Sequence, residues 1–140
     1  MDKDTTIADL RHLVAQFVQE RNWEQFHTPK NLVMALAIEA AELMEHFQWL
    51  TPEESAALRS QPQQLADVAD ELADVACYAL ALCDALNIDL ATAVRSKMVK
   101  NVQKYPADEF RGRYGADDPR PAQVAAETTT DDKDKRSSGK

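Results

Sequence analysis

Glycine and aromatic residues are scarce in this chain, and their scarcity narrows the class of fold. Its 140 residues include 3 glycines, and phenylalanine, tryptophan and tyrosine together make up 6%. A turn-rich all-β protein needs more of both, whereas the alanine, leucine, glutamate and glutamine that are frequent here favour helices. We therefore expect one all-α domain, a helical bundle of four main helices plus one short helix.

An excess of basic residues is also missing. The net charge is -8, with 24 acidic and 16 basic side chains. Proteins that bind the phosphate backbone of DNA or RNA present a basic face, so we expect no nucleic-acid polymer as a partner. Residues 1–105 carry 16 of the acidic and 9 of the basic side chains, so the imbalance lies in the part that we expect to fold.

Long hydrophobic runs and a disulfide framework are absent as well. No stretch approaches the roughly 20 apolar residues that cross a bilayer, and the first ten residues lack the features of a signal peptide. Cys77 and Cys83 are six residues apart in one predicted helix, about 9 Å along its axis and on different faces, too far for a disulfide. We expect a cytoplasmic protein that does not enter a membrane, with both cysteines in its core.

Capping residues and prolines mark the starts of the predicted helices. Thr6 with Asp9 is typical of a helix start, and Thr-Pro pairs at 28–29 and 51–52 repeat the signal. Pro62 begins a long helix, and Asp89 caps the last one. The predicted helices span about residues 6–21, 29–50, 52–59, 62–86 and 90–105.

The composition changes after Pro106. Residues 107–140 contain all three glycines and almost no apolar periodicity. Such a segment cannot bury enough surface to offset its chain entropy. We therefore expect residues 1–106 to form the folded domain and residues 107–140 to be a disordered polar tail.

Two acidic side chains interrupt helices that are otherwise apolar. Between residues 32 and 41 only Glu39 is not apolar, and between residues 72 and 83 only Asp74 is charged. A helix that is apolar on all sides is normally buried. We therefore expect both carboxylates to be buried and to bind a proton or a cation.

Helical spacing gives each of these acids a neighbour. Glu42 follows Glu39, and Asp74 follows Glu71, at i,i+3, which places each pair about 5–6 Å apart on one face. If the two faces pack together, four carboxylates repel one another unless a cation lies between them. Oxygen ligands favour Mg²⁺, or Mn²⁺, so we predict a metal site. The alternative is that these acids cap neighbouring helices or pair with arginine and lysine.

Basic and amide side chains follow one border of the last predicted helix. Lys97, Asn101 and Lys104 have i,i+4,i+7 spacing, which suits a ligand with phosphate oxygens held beside a metal. The alternative is a solvated basic turn at a helix C-terminus.

Scarce aromatic residues lie near the acids. Trp49 and Tyr78 extend the helix faces of the two acid pairs, and Trp23 and His27 lie in the loop after the first helix. The aromatic rings could stack on a flat base or belong to the core. His27 could hydrogen-bond a ligand or be structural.

Three stretches in combination resemble one family. Residues 20–50, 70–90 and 96–106 contain, in this order, an ExxE pair, an ExxD pair and the ending KMxxNxxKYP. They resemble the all-α nucleoside triphosphate pyrophosphohydrolases of the MazG-like superfamily, and most of all the dCTP pyrophosphatase branch. The resemblance covers about residues 7–106. It implies a homodimer or homotetramer of helical bundles, with sites completed near the subunit interface.

The resemblance also implies roles for individual residues. The Mg²⁺ ligands would be Glu39, Glu42, Glu71 and Asp74, with Glu39 or Glu42 as the catalytic carboxylate that orients the attacking water. The residues at matching substrate positions are Trp23, His27, Trp49 and Tyr78 around the base, and Lys97, Asn101, Lys104 and Tyr105 on the phosphate side. The chain departs from the wider superfamily at Ile38, where a glutamate is frequent.

We therefore expect Mg²⁺-dependent hydrolysis of a nucleoside triphosphate, dCTP or a related deoxynucleotide, to the monophosphate and pyrophosphate, a nucleotide-pool-cleansing reaction. One alternative is a sibling phosphohydrolase that acts on another nucleotide, such as a phosphoribosyl-ATP. A second is a non-catalytic helical interaction module. A third is a di-iron bundle, which usually needs two Glu-x-x-His motifs, of which residues 24–27 supply one.

Overall fold

The computed structural model describes residues 3–115 and 117–119, and these form six α-helices and no strand, which confirms the all-α prediction. The helices are α1 (Ile7–Glu20), α2 (Pro29–Glu45), α3 (Pro52–Ala57), α4 (Pro62–Ala85), α5 (Leu90–Lys104) and α6 (Ala107–Phe110). Turns of 3-10 helix occupy Glu24–Phe26 and Leu58–Ser60. The chain divides into two compact units, Met1–Arg95 and Ser96–Lys140, so that α1 to α4 belong to the first and most of α5, with α6, to the second.

The helices begin where the capping residues predict. At α1, the Thr6 hydroxyl accepts a hydrogen bond from the Asp9 N–H at 3.1 Å, and the Thr6 N–H donates to the Asp9 carboxylate at 2.8 Å. Thr51 and Glu54 make the same reciprocal pair at the start of α3, at 3.2 and 2.8 Å. Both capping boxes satisfy backbone N–H groups that would otherwise lack a partner within the helix.

α2 is shorter than predicted. It ends at Glu45, whereas the sequence pattern predicted helix to about residue 50. The N–H groups of Phe47 and Gln48 both donate to the Met44 carbonyl, at 2.9 and 3.0 Å, so the chain tightens into turns that lead to α3. Trp49 therefore lies outside the helix and does not extend the face that carries Glu39.

A tight turn joins α4 to α5. Asn87 has a φ of 52°, a left-handed conformation that asparagine tolerates, and the Ile88 N–H donates to the Cys83 carbonyl at 2.8 Å. The Asp89 carboxylate then accepts the Thr92 N–H at 2.7 Å and caps α5, as predicted. Both helix ends thus have their backbone groups paired within a few residues.

α4 is the central helix of the first unit, and α2 and α1 both pack along it. Arg11 links α1 to the C-terminal end of α4. Its guanidinium donates to the Asp84 carboxylate at 2.6 Å and to the Ile88 carbonyl at 3.3 Å. The buried apolar residues are Val18, Leu32, Leu58, Leu80 and Cys83. The core of the first unit therefore lies along α4.

The expectation that α2 and α4 are buried on all sides is wrong for the single chain. Met34 and Ile38 on α2 and Leu72 on α4 each expose more than half of their surface. Within residues 3–95, the α-helices that pack extensively on α4 are α1 and α2. Apolar faces of this extent normally contact something else.

The polar segment after α5 begins with ordered structure. Residues 107–110, which we expected to be disordered, form α6, and the Phe110 ring meets the Tyr105 ring edge-on at 5.3 Å. The aromatic contact gives this short helix an apolar partner that the composition of the segment did not indicate. Residues 116 and 120–140 of the predicted tail lie outside the described residues.

The length and composition of the helices show whether one of them could span a membrane. Within the part of the chain that the structure describes, no single helix is long and apolar enough to cross a bilayer, although α4 and α5 pass that test together as a bent pair.

Candidate active site

Three glutamates from two helices meet where α2 packs on α4. One carboxylate oxygen each from Glu39, Glu42 and Glu71 lie within 4.8 Å of one another. Glu39 and Glu42 are one turn apart on α2, and Glu71 belongs to α4. Helix packing thus joins the two acidic pairs that the sequence places on separate helices. We call these three residues the glutamate cluster.

Asp74, the fourth predicted ligand, lies near the glutamate cluster but is not one of its members. Burial raises the pKa of Glu39 above its ordinary value of 4.5, and the negative charges of Glu42, Asp74 and Glu71 raise it further. Glu39 is therefore a carboxylate whose charge is disfavoured by its neighbours. A proton or a cation would relieve that repulsion.

The acids are more exposed than predicted. Glu39 and Glu71 are half-buried, whereas Glu42 and Asp74 are exposed. The reason is the uncovered face of α2 and α4, which leaves these carboxylates open to water in the single chain. The repulsion persists because it arises mainly from the short distances between the carboxylates.

A cleft of about 460 Å³ lies between α1, the loop that follows it and α4. Four predicted site residues line it: Trp23, His27, Asp74 and Tyr78. The other lining residues, which the sequence did not single out, are Leu13, Val14, Phe17, Val18, Cys77 and Ala81. Its volume and its apolar wall with a few polar groups are typical of a small-molecule site.

The missed lining residues carry a periodic signal. Leu13 and Phe17 are one turn apart on α1, as are Cys77 and Ala81 on α4. Apolar residues at this spacing mark the inner face of a helix, but they do so equally for a core and for a cleft. Whether such residues form a core or line a cleft depends on the distance between α1 and α4, which the sequence pattern does not give.

Backbone hydrogen bonds place Trp23 in the cleft wall. Its N–H donates to the Val18 carbonyl at 3.0 Å, which folds the chain back over the end of α1. Asn22, just before it, has a φ of 51°, again in the left-handed region. The indole thereby reaches the cleft from a turn rather than from a helix.

A second set of bonds holds His27 at the start of α2. The His27 N–H donates to the Glu24 carbonyl at 3.1 Å, and the Asn31 side-chain amide donates to the Phe26 carbonyl at 3.0 Å. Thr28 caps α2, with its hydroxyl accepting the Asn31 N–H at 3.4 Å. His27 also lines a second cavity of about 370 Å³ between α1 and α4.

Tyr78 connects the cleft with the glutamate cluster. Burial raises the pKa of its phenol above its ordinary value of 10.0, and the charges of Glu39 and Asp74 add to the shift. Burial and the charge of Asp74 likewise raise the pKa of the adjacent Cys77 thiol. Both groups therefore stay protonated at neutral pH, so Tyr78 offers the cleft a neutral hydrogen-bond donor.

Trp49 is not brought to this cleft. Its side chain is 86% exposed, and within the first unit it is not one of the residues that line the cleft wall. Its role toward a ligand stays a prediction.

The predicted phosphate-side residues lie in the second unit. Lys97, Asn101 and Lys104 belong to α5, and Tyr105 follows it directly. The Lys104 ammonium lies 5.1 Å from the centre of the Tyr105 ring, and the Asn101 side-chain nitrogen lies 3.7 Å from the Met98 sulfur. The helical spacing of the first three residues puts them along one side of α5. Their contact with phosphate stays a prediction.

A family model and individual relatives agree on the family that this chain resembles. Residues 34–114 match the MazG-like family. The chain is 45% identical to rat dCTP pyrophosphatase 1 over 109 residues, which are 78% of this chain and 64% of that protein. It is also 45% identical to human dCTP pyrophosphatase 1 over 104 residues, 74% of this chain and 61% of that protein. The chain thus spans less than two thirds of the length of these curated relatives.

A solved structure agrees with this comparison. The crystal structure of a pyrophosphatase from Archaeoglobus fulgidus superposes with a TM-score of 0.64 and 39% sequence identity, covering 71% of this chain and 91% of that chain. The chain belongs to the MazG-like family. The matched region contains the glutamate cluster, Asp74, Tyr78 and the α5 residues.

Proposed function

We propose that this chain hydrolyses a deoxynucleoside triphosphate, dCTP or a related one, to the nucleoside monophosphate and pyrophosphate. The observation that carries this proposal is the glutamate cluster beside a cleft with aromatic walls. The dCTP pyrophosphatases of rat and human, similar over most of this chain, support both the reaction and the choice of nucleotide.

The ligand set of the cluster fits a hard divalent cation. Glu39, Glu42 and Glu71 offer three carboxylate oxygens within 4.8 Å of one another, and Asp74 lies close by. Carboxylate oxygens are the ligands that Mg²⁺ and Mn²⁺ prefer, so these four residues would hold the ion. When bound, the ion neutralises phosphate charge and polarises water.

Within this arrangement, Glu39 or Glu42 orients the attacking water and accepts its proton. Glu39 is half-buried among the carboxylates that would hold the ion, which would place it close to a water bound there. Glu42 is more exposed to water, which favours a role in positioning the nucleophile. Either assignment keeps the proton transfer inside the glutamate cluster.

The proposed contacts with the leaving group come from α5 and the residue that follows it. Lys97 and Lys104 supply positive charge, and Asn101 and Tyr105 supply hydrogen-bond donors, for the oxygens of pyrophosphate. Since the leaving group gains charge in the transition state, such donors contribute more there than in the bound substrate.

The cleft would select the base. Trp23 offers a ring for stacking, and His27 and Tyr78 offer polar atoms at the edge of the wall. A planar base would stack on Trp23 in the cleft that Asp74 and Tyr78 also line, and the phosphates would lie toward the glutamate cluster.

The active form would be a homodimer or homotetramer. The exposed apolar faces of α2 and α4 support this, because a second copy would cover them. Trp49, exposed on one copy, would then contribute to the cleft of its neighbour. This assignment accounts for an indole that the single chain leaves in solvent.

A panel of deoxynucleotides tests the proposed reaction. The purified chain is incubated with Mg²⁺ and each deoxynucleoside triphosphate in turn, and pyrophosphate release is followed. We expect pyrophosphate release from dCTP. We expect Glu71→Gln to lower kcat/KM by about tenfold to a hundredfold or more, because mutation of residues that only hydrogen-bond to a metal ligand already causes a loss of that size.

The matched control carries the same chemical change outside the cluster. Glu45→Gln, at the exposed end of α2, should keep the activity of the parent. No pyrophosphate from any deoxynucleotide, or full activity in Glu71→Gln, would contradict the proposal. Cleavage of another nucleotide with the same dependence on Glu71 would instead indicate a sibling phosphohydrolase.

A further inference from the structure

An aromatic pair and an arginine form a stack at the C-terminal end of α1. The Phe17 ring meets the Trp23 indole edge-on, with the ring centres 5.8 Å apart and an angle of 77° between the planes. The Arg21 guanidinium carbon lies 3.7 Å from the centre of the Phe17 ring. We call Phe17, Arg21 and Trp23 the stack.

The two rings of the stack belong to the cleft wall but are not held there by burial. Phe17 and Trp23 both line the cleft, and they are 49% and 43% exposed. Arg21 is not one of the described residues that line the cleft. Side chains this exposed keep much of their rotational freedom unless a neighbour restricts them.

Arg21 itself is anchored at two points. Its guanidinium donates to the Phe17 carbonyl at 3.0 Å and lies 3.6 Å from a carboxylate oxygen of Glu20. Glu20 in turn accepts a hydrogen bond from the Gln16 amide at 2.8 Å. Together with the ring contact, these bonds favour one position of the guanidinium, over the Phe17 ring, although its side chain is 40% exposed.

We propose that Arg21 is a positioning residue, which holds the Phe17 ring so that the edge-to-face contact between the two rings orients the Trp23 indole in the cleft wall. The inference rests on the proposed function, because it assumes that the base of a nucleotide stacks on Trp23. An indole already oriented before binding loses less freedom when the base arrives. The effect of Arg21 therefore falls on substrate affinity rather than on the chemical step.

A purely structural role for Arg21 makes a different prediction. As the cation that follows the last turn of α1, Arg21 also interacts favourably with the helix dipole, and lysine would replace it fully in that role. Lysine lacks the planar guanidinium that stacks on a ring and bonds a carbonyl at the same time. Arg21→Lys thus separates the two roles.

The first experiment measures the order of Trp23 without nucleotide. In a Trp49→Phe background Trp23 is the single tryptophan, and its anisotropy and quenching by acrylamide are compared among variants. We expect Arg21→Met to lower the anisotropy and increase the quenching, Arg21→Lys to lie between Arg21→Met and the parent, and Phe17→Leu to resemble Arg21→Met. Arg59→Met, at an exposed arginine after α3, is the control and should equal the parent.

The second experiment uses the same Arg21 variants with Trp49 intact. We expect Arg21→Met to raise the KM for the deoxynucleotide about two- to five-fold, the range of an exposed cation–π contact, with kcat unchanged. Thermal unfolding shows whether each variant is folded. If Arg21→Met does not fold, the KM and kcat of Arg21→Lys are compared with those of the parent instead.

Each outcome decides the inference. Parental anisotropy and quenching in Arg21→Met, full recovery in Arg21→Lys, or a loss confined to kcat would overturn it. If the parent cleaves no deoxynucleotide, the proposed function fails, and the fluorescence of Trp23 alone decides whether Arg21 orients it.

Discussion

Burial, and after it the charges of Glu42, Asp74 and Glu71, oppose the negative charge of Glu39 and raise its pKa. Its raised pKa means that the folded protein holds the Glu39 proton more tightly than the unfolded chain does. The resulting destabilisation is absent below pH 4.5, grows as the pH rises through the raised pKa, and is complete above it. A cation bound by the glutamate cluster would cancel it.

This sign predicts a specific pH dependence. In the metal-free protein, we expect the melting temperature of the parent to fall relative to Glu39→Gln as the pH rises above 4.5. Mg²⁺ should then raise the melting temperature of the parent near neutral pH and raise that of Glu39→Gln much less. The measurement is thermal unfolding by circular dichroism across this range, with and without EDTA.

Glu45→Gln is the control for that series. It removes a carboxylate from the same helix but not from the cluster, so it should keep the pH slope and the Mg²⁺ response of the parent. An identical slope in the parent and in Glu39→Gln would refute this account of Glu39.

At the scale of the element, the helix starts were predictable because they depend on neighbours in sequence. The Thr6–Asp9 and Thr51–Glu54 boxes each span three residues, and the structure contains both. The end of α2 was not predictable in this way, because the apolar pattern continues past Glu45 while the backbone turns toward the cap of α3. Apolar periodicity reports which residues face inward and is a weaker guide to where a helix stops.

The capping box of α1 yields a stability prediction. We expect Thr6→Ala to lower the free energy of unfolding by about 1 kcal/mol near neutral pH, because an N-cap hydroxyl is lost. Thr5→Ala, one residue earlier and outside the box, should change it little. Urea denaturation of the two variants and the parent provides the comparison.

The same box should weaken in acid. Hydrogen bonds from the backbone and side chain of Thr6 hold the pKa of Asp9 below its ordinary value of 3.8. The contribution of Asp9 is therefore present above pH 3.8 and is lost as the pH falls through the lowered pKa. A Thr6→Ala penalty that did not shrink in acid would contradict this pairing.

At the scale of the whole molecule, the single chain exposes a large apolar surface on α2 and α4. The buried set of Val18, Leu32, Leu58, Leu80 and Cys83 is small beside the exposed faces of α2 and α4. Apolar residues all round these helices led us to expect burial, and a second copy of the chain is the cover that we propose. For the single chain the expectation of burial is wrong, and in the proposed assembly the same apolar pattern would match a covered face.

This proposal predicts a concentration-dependent oligomer. Sedimentation velocity should find the parent as a homodimer or homotetramer, and Met34→Glu, which puts a charge on the exposed face of α2, should shift it to smaller species. Gln64→Glu, at an exposed polar site of α4, should sediment like the parent. A monomeric parent at all concentrations would rule out this use of the face.

The sequence by itself determined the helical class, the helix starts and the residue types of the site, because these depend on interactions within about four residues along the chain. The i,i+3 pairing of Glu39 with Glu42 is such a feature. Only the tertiary structure decided that Glu71 meets that pair while Asp74 lies beside it, because this distance depends on how α2 packs on α4. The same packing, and the gap it leaves between α1 and α4, turned inward-facing residues such as Phe17 into the wall of a cleft rather than part of a core.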